Sequence, residues 1–255
     1  MATQIIPFVA GQQPWNEIKR GEYCLDVSEF FFDTIQGEGI NVGAPAAFLR
    51  LKGCVLRCSY CDTAEVYKHG RWYSNKQLLD MIEVSGLDKK LLKGQHLVFT
   101  GGSPLMQQNG IFHFIMDFYK RFGWTPYMEI ENECVLPPDP LLVPWIACWN
   151  NSPKLTNSGI DFEKRYKPEI ISMLASFPNS WFKFVVSSEE DWEEINTGFL
   201  IPNYIYPSQI ILMPKGETRA ELEYTRPIVV QMAIENNVRY CTREHIILWD
   251  KKNGI

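Results

Sequence analysis

Long apolar runs are missing from this 255-residue chain. The longest candidate, Leu141 to Trp149, is broken by Pro144 and falls far short of the ~18 residues that a bilayer-crossing helix needs. A basic excess is missing too. The 25 Lys and Arg stand against 30 Asp and Glu, a net charge of −5, which argues against general coating of nucleic acid. No positively charged segment precedes the short apolar run Ile5–Ala10, so the start does not read as a secretory signal. No repeat, low-complexity tract or long linker divides the chain. These absences predict a cytoplasmic protein with no membrane and no nucleic-acid partner. They also predict one domain, residues 26–255, behind an N-terminal extension, residues 1–25.

Strand-like and helix-like segments alternate through that domain. Strands are expected at Ala46–Lys52, Leu97–Phe99, Tyr127–Glu131, Trp145–Trp149, Trp181–Val186, Gln209–Met213 and His245–Trp249. Helices are expected at Asn75–Val84, Gly110–Phe122, Lys164–Ser176, Glu189–Ile195 and Arg219–Asn236, the last bent or interrupted by Pro227. Ser74, with Gln77 three residues on, and Ser188, ahead of an acidic turn, fit helix N-caps. Pro137–Pro144 reads as a loop. Alternation with right-handed crossovers builds a parallel sheet whose C-terminal edge collects the ligand-binding loops.

Of the seven cysteines, an odd number that suits ligation better than a disulfide framework, three crowd into eight residues: Cys54-Val-Leu-Arg-Cys58-Ser-Tyr-Cys61. Spacing of i, i+4 and i+7 is also one face of a helix, so a buried stripe competes; Gly53 and the β-rich run before it argue against that. Three thiolates do not complete the four-ligand shell of a structural zinc or an ordinary cubane. Either a distant residue such as a His contributes, or one metal position stays open for a ligand. Cys24, Cys134, Cys148 and Cys241 read as core thiols, and His69, His96 and His113 form no constellation.

Cx3Cx2C after the first strand of a β/α chain resembles the radical S-adenosylmethionine (SAM) enzymes. The stretch Phe32-Asp33-Thr34-Ile35-Gln36-Gly37-Glu38-Gly39, then Pro45-Ala46-Ala47-Phe48-Leu49-Arg50-Leu51, then Cys61-Asp62-Thr63, is similar to the 7-carboxy-7-deazaguanine synthases. The resemblance implies an α/β fold of partial (β/α)6 TIM-type barrel with a radical SAM core, its open side admitting a larger ligand. It implies a 4Fe-4S cluster on Cys54, Cys58 and Cys61, whose fourth iron chelates SAM, and magnesium on Thr63, where spacing alone would have chosen Asp62. Ile35, Gln36, Gly37 and Glu38 would meet a pterin edge, Arg50 its carboxylate, and Thr100 and His245 other parts of the substrate. An Arg suits a carboxylate because its planar fork matches two oxygens.

For the cofactor, the resemblance implies Tyr60 at the adenine, Gly102 and Ser103 of Thr100-Gly101-Gly102-Ser103-Pro104 at the methionine part, and one of Glu129 and Glu131, which share a strand face, at the ribose, Glu129 being favoured. Ser152, Pro153 and Lys154, with Met213, Pro214, Lys215 and Gly216, would form later SAM loops. Ser103 departs from the usual Gly-Gly-Glu-Pro and removes the carboxylate expected at the SAM ammonium. The implied reaction is ring contraction of 6-carboxy-5,6,7,8-tetrahydropterin with loss of ammonia, in a homodimer served by an electron donor such as flavodoxin. Two other readings stand beside it: a radical SAM activating enzyme for a glycyl-radical protein, and a non-catalytic zinc or iron-sulfur binding module.

Overall fold

The structure, a computed structural model, describes residues 2–7, 9, 22–252 and 254. Residues 10–21, about half of the expected extension, lie outside the described residues. The strands in chain order are β1 (Thr3–Ile6), β2 (Cys24–Ile35), β3 (Pro45–Leu51), β4 (Arg71–Ser74), β5 (His96–Gly101), β6 (Met128–Asn132), β7 (Cys148–Asn151), β8 (Ser180–Val186), β9 (Ile210–Pro214) and β10 (Arg239–Tyr240). The helices are α1 (Asn75–Ser85), α2 (Leu87–Leu92), α3 (Gln108–Phe122), α4 (Phe162–Arg165), α5 (Pro168–Ala175), α6 (Glu189–Ile195), α7 (Arg219–Glu235) and α8 (Glu244–Trp249).

Six strands, β3 and β5 to β9, run parallel in chain order, and the two-residue β10 extends that edge. On the other side β2 pairs antiparallel with β3 and carries β1 and β4, also antiparallel. The hydrogen-bonded path ends at β1 and at β10 without joining them, so the sheet curls as an incomplete barrel, as the family resemblance implied.

Two kinds of face explain the curl. One face, with Phe99, Phe182 and Phe184 of the strands, packs on Phe114 and Phe118 of α3, on α5 and on Phe199 in one continuous apolar core. Each such side chain contributes about 1.5–3 kcal/mol by leaving water. The other face is apolar only at its two ends, around Phe31, Phe48 and Val98 and around Val185, Ile211 and Met213. Between them buried polar residues, Glu129, Asn150 and Lys183, come from β6, β7 and β8.

Several expectations change. No strand was expected before Ala46, yet β2 crosses the sheet; it is buried at nearly every position, so it lacks the alternation that marks a half-exposed strand. The stretch ahead of residue 26 supplies β1 and starts β2. The expected strand Trp145–Trp149 begins only at Cys148, because Val143–Trp145 forms a 3-10 turn. Lys164–Ser176 is two helices, since Pro168 opens the second. Pro227 does not interrupt α7: it is exposed, as is Glu223, whose freed carbonyl faces water. His245–Trp249 is the helix α8, not a strand, because β10 already takes the edge beside β9 and Arg243 accepts the first helical bonds from Ile246 and Ile247.

Candidate active site

The cysteines sit on the loop that follows β3. Lys52 N–H donates to the Asp26 carbonyl (2.9 Å) and Gly53 N–H to the Tyr67 carbonyl (2.9 Å), so the chain leaves the sheet abruptly. Gly53 has φ +102, open to glycine and strained for other residues. Ser59 N–H then ties the loop to the Ser158 carbonyl (3.0 Å). No helix forms there, which removes the buried-stripe reading. Cys54, Cys58 and Cys61 are half-buried, free of disulfides, and line one cavity. Burial raises the thiol pKa of both Cys58 and Cys61, opposed at Cys58 by Lys154.

Among the described residues, the one group of three acid, thiol or imidazole ligand atoms within 4.8 Å of each other is Glu38, Asp62 and His245. The three sulfurs do not all lie within 4.8 Å of one another, whereas ligands of one tetrahedral zinc, about 2.3 Å from the ion, would. Separate irons of one cluster suit that spread. The turn after β5 presses against this loop. A Cβ on Gly102 would overlap Cys54 Cβ and the Gly53 carbonyl, Ser103 N–H donates to that carbonyl (2.9 Å), and Ser103 Oγ accepts from Val55 N–H (3.1 Å).

Across the cavity stands a charged wall. Lys183, buried on β8, reaches Glu38 (2.7 Å) and Glu131 of β6 (3.3 Å). Arg243 donates to Glu38 (2.9 Å), to Asp62 (2.6 Å) and to the Gly216 carbonyl (2.6 Å). Burial would raise the Glu38 carboxyl, but Lys183, Arg243 and His245 outweigh it and hold it well below the usual range. Asp62 is depressed likewise, against its own burial, by Arg243 and His245. Burial opposes the charge of Lys183, yet Glu131 and Glu38 raise its pKa. Thr100 Oγ1 donates to Glu131 (2.9 Å). Arg50 Nε donates to buried Glu29 (2.7 Å), while neither Nη group donates to an acceptor among the described residues.

Long-range packing brings the last turn of the chain to the first. Glu244 N–H donates to the Gly37 carbonyl (2.9 Å), and Gly37 has no side chain where His245 packs. Tyr60 lies against the apolar patch of Val185 and Met213, with Lys215 Nζ 5.2 Å from its ring centre.

Of the expected site residues, Ile35, Gln36, Gly37, Glu38, Arg50, Cys54, Cys58, Tyr60, Cys61, Thr63, Thr100, Gly102, Ser152, Lys154, Met213 and His245 line the same cavity. Ser103, Pro153, Pro214, Lys215 and Gly216 stand behind its surface or beside it. Glu129 does not line it: it is fully buried, bound to His96 (2.6 Å), Asn150 (2.6 Å) and Gln36 (3.3 Å). Its strand neighbour Glu131 reaches the cavity instead.

Sequence reading missed His96 as a partner of Glu129, and Lys183, Arg243 and Glu133 as cavity residues; it placed Glu131 on the same face as Glu129 but favoured Glu129. The signal for Lys183 was a charge in the alternating run Trp181–Val186. For Glu133 it was acids at every second position from Glu129.

Comparison with known proteins agrees with this geometry. Residues 35–130 match the family described as 4Fe-4S single cluster domain. The chain is 33% identical over 223 residues to a 7-carboxy-7-deazaguanine synthase of Pyrobaculum aerophilum, covering 88% of this chain and 94% of that one. It is 27% identical to the enzyme of the same name from Halobacterium salinarum, covering 89% and 91%. Among solved structures, QueE from Escherichia coli has the same fold, with a TM-score of 0.67 at 22% identity over 88% of this chain and 96% of that one. With a thiol triad on the loop after the first parallel strand, and a relative matched over nearly its whole length, the chain belongs to the 7-carboxy-7-deazaguanine synthase family.

Proposed function

We propose that the protein converts 6-carboxy-5,6,7,8-tetrahydropterin into 7-carboxy-7-deazaguanine with loss of ammonia, in the biosynthesis of queuosine and related deazapurines. The observation that carries this is one cavity with three unbridged thiols on one side and, on the other, the Arg50 fork beside a wall of acids and cations. When bound, the 4Fe-4S cluster and SAM supply the one-electron chemistry and the 5′-deoxyadenosyl radical that takes a hydrogen from the substrate.

The chain's own residues position and shield. Cys54, Cys58 and Cys61 would hold the cluster, and Tyr60 and Met213 offer an apolar seat for adenine. Arg50, with Nε fixed by Glu29, keeps both Nη groups for the substrate carboxylate, and the Gln36 amide and Thr100 serve the pterin edge. Glu38 fixes Lys183 and Arg243, one on each oxygen, and keeps a lone pair on each for the pterin edge. The Thr63 hydroxyl would hold magnesium, a hard cation that takes oxygen ligands and would organise the substrate carboxylate. The adjacent Asp62 supports this assignment, because Arg243 engages its carboxylate. No helix among the described residues is long and apolar enough to cross a membrane. The same reading has the protein working in the cytoplasm as a homodimer, with an electron donor such as flavodoxin.

Anaerobic reconstitution with iron, sulfide, SAM, magnesium and the carboxypterin tests the reading. The expected result is the deazaguanine product, with the pterin stimulating turnover. Cleavage of SAM with the pterin returned unchanged would overturn the substrate assignment. A colourless zinc protein from oxygen-free purification would overturn the chemistry.

A further inference from the structure

Acids occupy alternate positions from β6 into the loop after it, and Glu131 and Glu133 are in opposite situations. Glu131 is satisfied by Thr100 and Lys183. Glu133 is only 4% exposed and lines the cavity, and neither of its carboxylate oxygens has a hydrogen-bond partner among the described residues. A buried carboxylate left without donors is costly, so such a group usually marks a place where a ligand's donor belongs. Burial raises its pKa, with its own backbone N–H, Lys154 and Ser103 near enough to oppose the shift.

Three neighbours define what that ligand would be. Lys154 Nζ donates to Ser152 Oγ (2.7 Å), lines the same cavity and acts on Glu133 through its charge without hydrogen-bonding to it, so an acid and an ammonium stand near each other unbridged. Ser103 has turned to the cysteine loop, where its hydroxyl accepts from Val55 N–H and lies 3.9 Å from Cys54 Sγ. A ligand that presents an amino group and a carboxylate on one carbon, beside the cysteines, complements both charges. The methionine end of SAM is such a group.

We propose that Glu133 accepts a hydrogen bond from the amino group of SAM, and so takes over, from the loop after β6, the role of the acid that is absent at position 103. The proposal rests on the SAM-dependent reading above and names the residue that binds one end of that cofactor. Position 103 is then free to brace the cysteine loop with a short hydroxyl, where a longer carboxylate would add a second negative charge beside Glu133 and three thiolates.

The test is equilibrium binding to the anaerobically reconstituted protein, with iron content and melting temperature recorded for each variant. The probes are SAM and its desamino analogue, which lacks only the amine. The wild type is expected to prefer SAM. Glu133→Gln is expected to weaken SAM at least ~tenfold, as loss of a charge-assisted bond does, while analogue binding stays within about twofold and the cluster stays intact. Glu133→Gln with Ser103→Glu, which returns an acid from the turn after β5, is expected to recover most of the preference. SAM binding by Glu133→Gln at wild-type strength overturns the proposal, as does equal weakening of both probes. If Glu133→Gln does not fold or keep its cluster, the double variant decides: folded without preference for SAM, it overturns the proposal. A wild type that carries its full cluster and binds neither probe defeats the cofactor reading itself, a result distinct from loss of preference in the variants alone.

Discussion

Arg50 carries two tasks that mutation separates. Its Nε neutralises Glu29, which is 1% exposed, and Arg50→Met would leave that acid buried and unpaired at a cost of about 3–5 kcal/mol, read in a urea melt. Arg50→Met with Glu29→Leu should regain most of that stability yet still fail to bind the carboxypterin, whereas an Arg50 with only a structural role would leave binding intact in the double variant. Arg50→Lys keeps the charge but loses the planar fork, and kcat/KM is expected to fall about ten- to a hundredfold, equivalent to about 1.4–3 kcal/mol. Cys58→Ala should leave a soluble, folded protein that retains no cluster; full iron occupancy in that variant would refute the ligand set.

At the scale of elements, the turn after β5 and the cysteine loop behave as one unit. Gly102→Ala would drive a methyl group into Cys54 Cβ and the Gly53 carbonyl, and this is backbone that cannot step aside. The expected outcome is a lower melting temperature with poor cluster retention; a variant that melts and loads like the wild type would show that the two loops are not braced together. The helix α7 offers the opposite case. Pro227 lies on its exposed side, so Pro227→Ala restores an N–H to the free carbonyl of Glu223 and should stabilise the protein by about 1–3 kcal/mol with no change in cofactor binding. The elements that the sequence announces clearly are those with local punctuation: α1, whose Ser74 and Gln77 form a capping box, and α6, where Asp191 accepts from the Ser187 and Ser188 N–H groups. Those it hides are β2, buried on both faces, and α8, whose six residues have strand-like letters.

For the molecule as a whole, acid sensitivity follows from the buried wall. Glu38 is held below its ordinary value of 4.5, so its stabilisation is complete above that pH and is lost as pH falls through the depressed folded value. Glu38→Gln should therefore melt below the wild type by a constant margin between pH 5 and 7, and the gap should narrow below pH 4.5 as the wild type declines more steeply; equal slopes would show that Glu38 does not carry the linkage. The sequence by itself determined the chemistry at the cysteine loop, because ligand spacing is a local property that the chain cannot lose on folding. It also determined the β/α order, since hydrophobic period and caps act within a few residues. Only the tertiary structure decided which acid meets which cation. Arg243 joins Asp62 across 181 residues, Lys183 joins Glu38 across 145, and Glu131 rather than Glu129 reaches the cavity. Alternation along a strand tells which residues share a face, but the depth of each on that face is fixed by how far the sheet curls around it.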